Sequence, residues 1–83
     1  NLYFGIFPNP NKGSFNVEVK IGSVQDAELL ITDATGKLCF KKSQPLDPAR
    51  PIVHIELPSL KRGLYSVQLK TDKANAVKTL VIE

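Results

Sequence analysis

The chain has one cysteine, one histidine, no tryptophan and no methionine in 83 residues, and each shortage removes a class of chemistry. Cys39 alone permits no intramolecular disulfide, no cysteine-rich zinc site and no CxxC redox pair. With His54 the only imidazole, a serine triad would have to be built on that one side chain. Glycines 13, 22, 36 and 63 are dispersed, so no phosphate-cradling loop is present. The longest apolar stretch, Ala27–Ile31, is interrupted by Glu28 and falls far short of the roughly 20 residues of a bilayer-spanning helix. No charged-then-apolar leader opens the sequence, so any secretory signal is expected outside these residues. There is no block of one charge either. Eleven Lys and Arg against eight Asp and Glu give a net charge of +3, scattered along the chain rather than gathered into the basic stripe of a nucleic-acid binder. No cofactor and no metal are implied.

What remains is an ordinary small globular composition. A hydrophobic fraction of 42% with 23% charged residues supports a packed core, and 83 residues fit one domain. A chain of this size buries only about 60% of its unfolded surface, enough for a modest core but not for a deep substrate cavity.

The hydrophobic period is two, which points to an all-β domain. Phe15, Val17, Val19 and Ile21 alternate with Asn16, Glu18 and Lys20, the pattern of a strand with one wet face. Leu29 and Ile31 belong to a second strand that stops at Asp33-Ala34-Thr35-Gly36. Asp33 is suited to bond back to the backbone there and Gly36 to take positive φ. Leu38 and Phe40 return. Three prolines, Pro45, Pro48 and Pro51, bar Ser43–Pro51 from a central strand and make it a crossing between sheets. Val53, Ile55 and Leu57 form a further strand ended by Pro58. After a corner at Lys61-Arg62-Gly63, Tyr65, Val67 and Leu69 make the next inward row. Thr71–Ala76 reads as a polar hairpin loop and Val77–Ile82 as the last strand. With a short edge piece at Ile6-Phe7 this makes an Ig-like antiparallel β-sandwich of about seven strands. Asn1-Leu2-Tyr3-Phe4-Gly5 resembles a protease-site scar from an expression tag without its Gln, or a linker. These residues are set aside, leaving 6–83 as the domain.

The chemically capable residues have plainer readings. Cys39 is in phase with Lys37 and Lys41 on an outward or edge position. Flanking lysines favour a thiolate, but neither a second Cys nor a matched base accompanies it. His54 shares a face with Glu56, the arrangement of a surface His beside a carboxylate. Asp26, Glu28, Asp33, Asp47 and Asp72 stand where turns and wet faces want acids. Non-enzymatic function follows. The corners carry more information. Pro8-Asn9-Pro10 with Gly13 stiffens and then reverses the chain into its first long strand. In Leu60-Lys61-Arg62-Gly63-Leu64-Tyr65, a basic tip is pushed into water, and Tyr65 is placed to tie its hydroxyl to nearby backbone.

Taken in order, Pro8-Asn9-Pro10 with Gly13 and Phe15, Asp33-Ala34-Thr35-Gly36-Lys37, Leu60-x-x-Gly63-x-Tyr65 and Lys78 before an apolar last strand resemble the type A C-terminal sorting domains of the type IX (Por) secretion system. The likeness runs from about Ile6 to Glu83. It implies a non-enzymatic address for a larger passenger fused upstream, carried across the periplasm, through the outer membrane and to the cell surface or beyond. The implied partners are translocon components and a surface sortase that cuts before the domain and attaches the passenger. By position, the implied recognition elements are Lys61, Arg62, Gly63 and Tyr65, with Lys78, Leu80, Val81, Ile82 and Glu83. Pro8, Asn9, Pro10, Gly13, Asp33 and Gly36 serve as structural turns. The chain departs from the family in closing on Glu83, where many members carry a basic residue.

Two physical expectations accompany this reading. A last strand at a sheet edge would offer its amides to a receptor by strand addition, and free edges would let two copies pair or exchange strands. A rival reading, an adhesive module binding glycan or protein, wants exposed aromatics. Few are left once Phe15, Phe40 and Tyr65 are given to the core.

Overall fold

In the computed structural model, which describes residues 2–83, the alternation translates directly into two facing sheets. Seven antiparallel strands are formed among these residues: β1 (Tyr3–Phe7), β2 (Ser14–Lys20), β3 (Gln25–Asp33), β4 (Leu38–Leu46), β5 (Ile52–Glu56), β6 (Gly63–Lys70) and β7 (Asn75–Ile82). One sheet has the order β1-β2-β5 and the other β4-β3-β6-β7. The result is the expected Ig-like β-sandwich.

The core consists of the inward members of each alternation. Phe15, Val17 and Val19 of β2 and Ile55 of β5 face Ala27, Leu29 and Ile31 of β3, with Tyr65, Val67 and Leu69 of β6 and Leu80 and Ile82 of β7. Fully burying a Leu, Ile, Val or Phe side chain contributes about 1.5–3 kcal/mol. A one-residue register slip would turn these rows to solvent, so the pattern also sets the pairing.

Four expectations are corrected. Tyr3–Gly5, set aside as a scar or linker, belong to β1, which is longer than the Ile6-Phe7 piece. Phe4 is completely buried because it and Ile6 alternate inward on a strand paired to Val19 and Val17; Asn1 lies outside the described residues. The crossing between sheets is shorter than Ser43–Pro51. β4 runs on through Pro45 to buried Leu46, and only 47–51 cross. Pro45 is tolerated because β4 is an edge strand, where one side of the backbone needs no ladder donor. Phe40 packs against the core but stays half-buried, since the outermost strand of a four-stranded sheet overhangs a three-stranded one. Finally, β7 begins at Asn75, and Thr71–Ala74 form the loop. There the Thr71 hydroxyl accepts from the amides of Lys73 (3.2 Å) and Ala74 (3.0 Å).

Phe4 is the sharpest of these differences. Replacing it with Ala is expected to lower the unfolding free energy by about 3–5 kcal/mol, read from the urea midpoint, whereas Tyr3→Ala on the outer side of the same strand should change it far less.

Candidate functional site

Three connections and the end of the chain meet at one pole of the sandwich. β1 ends there, β2 begins at Ser14, β3 ends at Asp33, β5 ends at Glu56, β6 begins at Gly63 opposite Ile82, and Glu83 follows. The quoted turn motifs at 8–13, 33–37 and 60–65 therefore share this end. Leu2 lies at the opposite pole, beside Val24, Asp26 and the 71–74 loop.

The 8–13 segment is more than a turn. After β1 it leaves the three-stranded sheet and lies along the outer edge of β7 in the other sheet, in a parallel bridge between Asn11 and Ile82. The Asn11 amide donates to the Val81 carbonyl (3.0 Å), and the Glu83 amide donates to the Asn11 carbonyl (2.8 Å). One residue pair earlier, the Asn9 side chain does what a peptide unit would do. Its Nδ2 donates to the Thr79 carbonyl (2.8 Å) and its Oδ1 accepts from the Val81 amide (2.9 Å). Asn11 is buried, and its own amide side chain donates to the Pro8 carbonyl and accepts from the Gly13 amide, both at 2.8 Å. Each such bond contributes about 0.5–1.5 kcal/mol net. β7 is thus an edge strand, as supposed, but its outer edge from Thr79 to Glu83 is already taken by its own chain. Strand addition along that stretch requires this strap to leave.

Gly13 closes the strap onto the next corner. Its φ is 104°, its carbonyl accepts from the Leu57 amide (2.6 Å), and a Cβ on it would be driven into the Leu57 carbonyl. From there the chain passes Pro58 to exposed Lys61 and Arg62. The expected tie at this corner is present: the Tyr65 hydroxyl donates to the Lys61 carbonyl at 2.6 Å, the tyrosine corner of such sandwiches. It holds the backbone of the basic tip while leaving both charges in water.

The Asp33 turn lies beside this corner, since Asp33 pairs with Tyr65. One carboxylate oxygen, Oδ1, accepts from the Thr35 hydroxyl (2.6 Å), the Thr35 amide (2.9 Å) and the Lys37 amide (3.0 Å). Those bonds favour the charged form. The Thr35 hydroxyl, then the Lys37 amide, hold the carboxyl below its ordinary range. Gly36 at φ 89° completes the turn.

The named recognition residues divide by accessibility. Lys61, Arg62 and Glu83 are exposed, and Gly63 and Val81 are partly so. Tyr65, Leu80 and Ile82 are in the core, so a receptor meeting the folded domain does not meet those side chains. Lys78 is exposed but stands away from the pole, paired with Val67 and with its Nζ 5.2 Å from the centre of the Tyr3 ring. That contact carries its charge to β1.

Among the described residues, His54, Ser14 and Glu56 come together on the surface of the three-stranded sheet. His54 Nε2 is 2.9 Å from Glu56 Oε1 and 3.4 Å from Ser14 Oγ, and Ser14 Oγ donates to the same Glu56 oxygen at 3.1 Å. A proton relay needs nucleophile and acid on opposite ring nitrogens; here both address Nε2, while Nδ1 meets Asn16 Oδ1 at 3.0 Å. The cluster pins β2 to β5 on an open surface. His54, then Ser14, keep the Glu56 carboxyl below its ordinary value by hydrogen bonding. Cys39 is exposed, with its sulfur 3.6 Å from the Lys37 carbonyl.

A three-plus-four-strand antiparallel sandwich, with its turn motifs and the end of its last strand at one pole, belongs to the class of small Ig-like β-sandwich domains. The profile of the secretion system C-terminal sorting domain, the type IX sorting family, matches residues 5–83, and the chain belongs to that family. Among solved structures, it is similar to dimeric latent PorU from Porphyromonas gingivalis, with 17% sequence identity and a TM-score of 0.66. The match covers 98% of this chain and 9% of that one, so the shared feature is the fold. Among curated proteins, none matches significantly.

Two measurements follow from the pole. With its folded pKa depressed, the Asp33 carboxylate stabilises the hairpin above about pH 4, its unfolded value. That contribution disappears as pH falls through the folded pKa. Thr35→Ala is expected to move the NMR titration midpoint of Asp33 upward, toward the ordinary value. Gly13→Ala should cost about 1–3 kcal/mol or more and speed hydrogen exchange at the Leu57 amide, with β3 amides little affected at first.

Proposed function

We propose that this domain is the export address of a larger protein, read as a folded surface by the type IX translocon after transit through the periplasm. The observation that carries the reading is the polarity of the fold. The turn motifs and the end of the chain sit at one pole, and Leu2, through which an upstream passenger would be joined, sits at the other. A passenger attached there leaves the motif pole unobstructed. The exposed basic tip Lys61-Arg62, backed by the Tyr65 tie, together with Val81 and Glu83, supplies the relief that translocon components recognise. A surface sortase then acts on the linker before Tyr3 and attaches the passenger to the cell surface. The domain contributes shape and charge and performs no chemistry.

Recognition of a prebuilt pole also fits the filled edge of β7 better than strand addition does. Pairing of two copies through Thr79–Glu83 would likewise require the strap to leave.

The test is a secreted reporter carrying this domain at its C-terminus in a bacterium with the type IX system. The wild-type fusion should reach the outside. Lys61→Ala/Arg62→Ala should retain the stability of the isolated domain within about 0.5 kcal/mol while the fusion accumulates inside the cell. Export of that double variant at the wild-type level removes the assigned role of the basic tip.

A further inference from the structure

We propose that Asn9 and Asn11 are positioning residues of the sorting signal. By occupying the edge of β7, they hold its last residues in the one arrangement that the export machinery reads. This rests on the sorting reading above and adds to it the residues that set the geometry of the recognised strand.

Asn9 is exposed, yet both ends of its amide are spent on main-chain groups 70 and 72 residues away. An exposed side chain gains little by such fixed pairing unless the place it fixes matters. The task needs a donor and an acceptor on one short side chain. Aspartate lacks the donor and would set a carboxylate against the Thr79 carbonyl. Serine offers a single oxygen, and alanine offers nothing. Asn11 is committed in the same way, with its amide, carbonyl, Nδ2 and Oδ1 all bonded. The two together hold Thr79 and Val81 of β7, and Glu83 just past its end, along one edge.

The prolines complete the device. An ordinary strand added to β7 would carry a new free edge on its far side. Pro8 and Pro10 have no N–H, so this strap offers no donor of theirs to a further strand. The edge of the sheet ends there instead of moving outward by one strand. The final residues of the chain are therefore presented as a fixed surface next to Lys61-Arg62, closed to indiscriminate strand pairing.

The test combines exchange and export. In the 83-residue chain, Asn9→Ala, which removes both the acceptor for the Val81 amide and the donor to the Thr79 carbonyl, should raise hydrogen exchange at the Val81 amide by about tenfold, the loss of one to two hydrogen bonds, while β2 and β3 amides keep their protection. The same substitution in the reporter fusion should reduce export at least several-fold. Val17→Ala, a core change in the other sheet, serves as the control, chosen to lower the thermal midpoint by as much or more; its fusion should export normally. Unchanged exchange at Val81 overturns the clip. Faster exchange with normal export, or equal loss of export in Val17→Ala, overturns the positioning role while leaving the sorting reading intact. A wild-type fusion that stays inside overturns the sorting reading and the positioning role with it.

Discussion

The transfer of the chain from one sheet to the other at Pro8–Asn11 is the constraint on which the rest of this small sandwich depends. β1 is bonded to β2, and four residues later the same segment is bonded to β7. Among the described residues, no other stretch ties both sheets along this side by main-chain hydrogen bonds. The strap closes that side by its bridge to buried Ile82 and ends the exposed edge of the last strand. It does so with few donors, because two of its four residues are prolines. The asparagine side chains make up the deficit by acting as peptide units.

A second constraint is the inequality of the sheets. Three strands face four, and the surplus strand, β4, overhangs. Its inner side carries half-buried Phe40 and exposed Lys42 where a central strand would carry buried apolar residues. Only Leu46 at its end is fully enclosed. This frees β4 to accept Pro45, and it explains why strand and proline signals conflict there. The uncovered edge carries Lys41, Lys42 and Pro45, residues that discourage pairing with other chains.

The make-up of each pole is set by where antiparallel strands deliver their ends. Connections alternate between the poles, so residues 8–13, 33–37, 57–63 and 83 fall on one end and residues 21–24, 47–51 and 71–74 on the other. Motifs remote in sequence become one surface through that alternation alone. Charge on this surface is held by backbone ties, the Tyr65 hydroxyl at Lys61 and the amides of Thr35 and Lys37 at Asp33, rather than by ion pairing. The basic tip stays solvated and available.

Much of this was legible from residue order. Period-two alternation placed β2, β3, β5 and β6, and the Asp33–Gly36 turn and the Tyr65 tie were readable because each depends on residues within a few positions of one another. Family membership was readable from the order of the corners. Three things were decided only in three dimensions. The burial of Phe4 was decided by its pairing opposite Val19, 15 residues along. The continuation of β4 through Pro45 depended on its place at an edge, which no local pattern encodes. The clip of Asn9 and Asn11 on β7 joins positions about 70 residues apart and is local to neither. An asparagine between prolines looks like a turn residue until the strand it completes has been folded against it. Alternation and turn chemistry are short-range and survive in a linear string, whereas edge status, overhang and the partner of a side-chain amide are properties of neighbours that only the closed sandwich brings together.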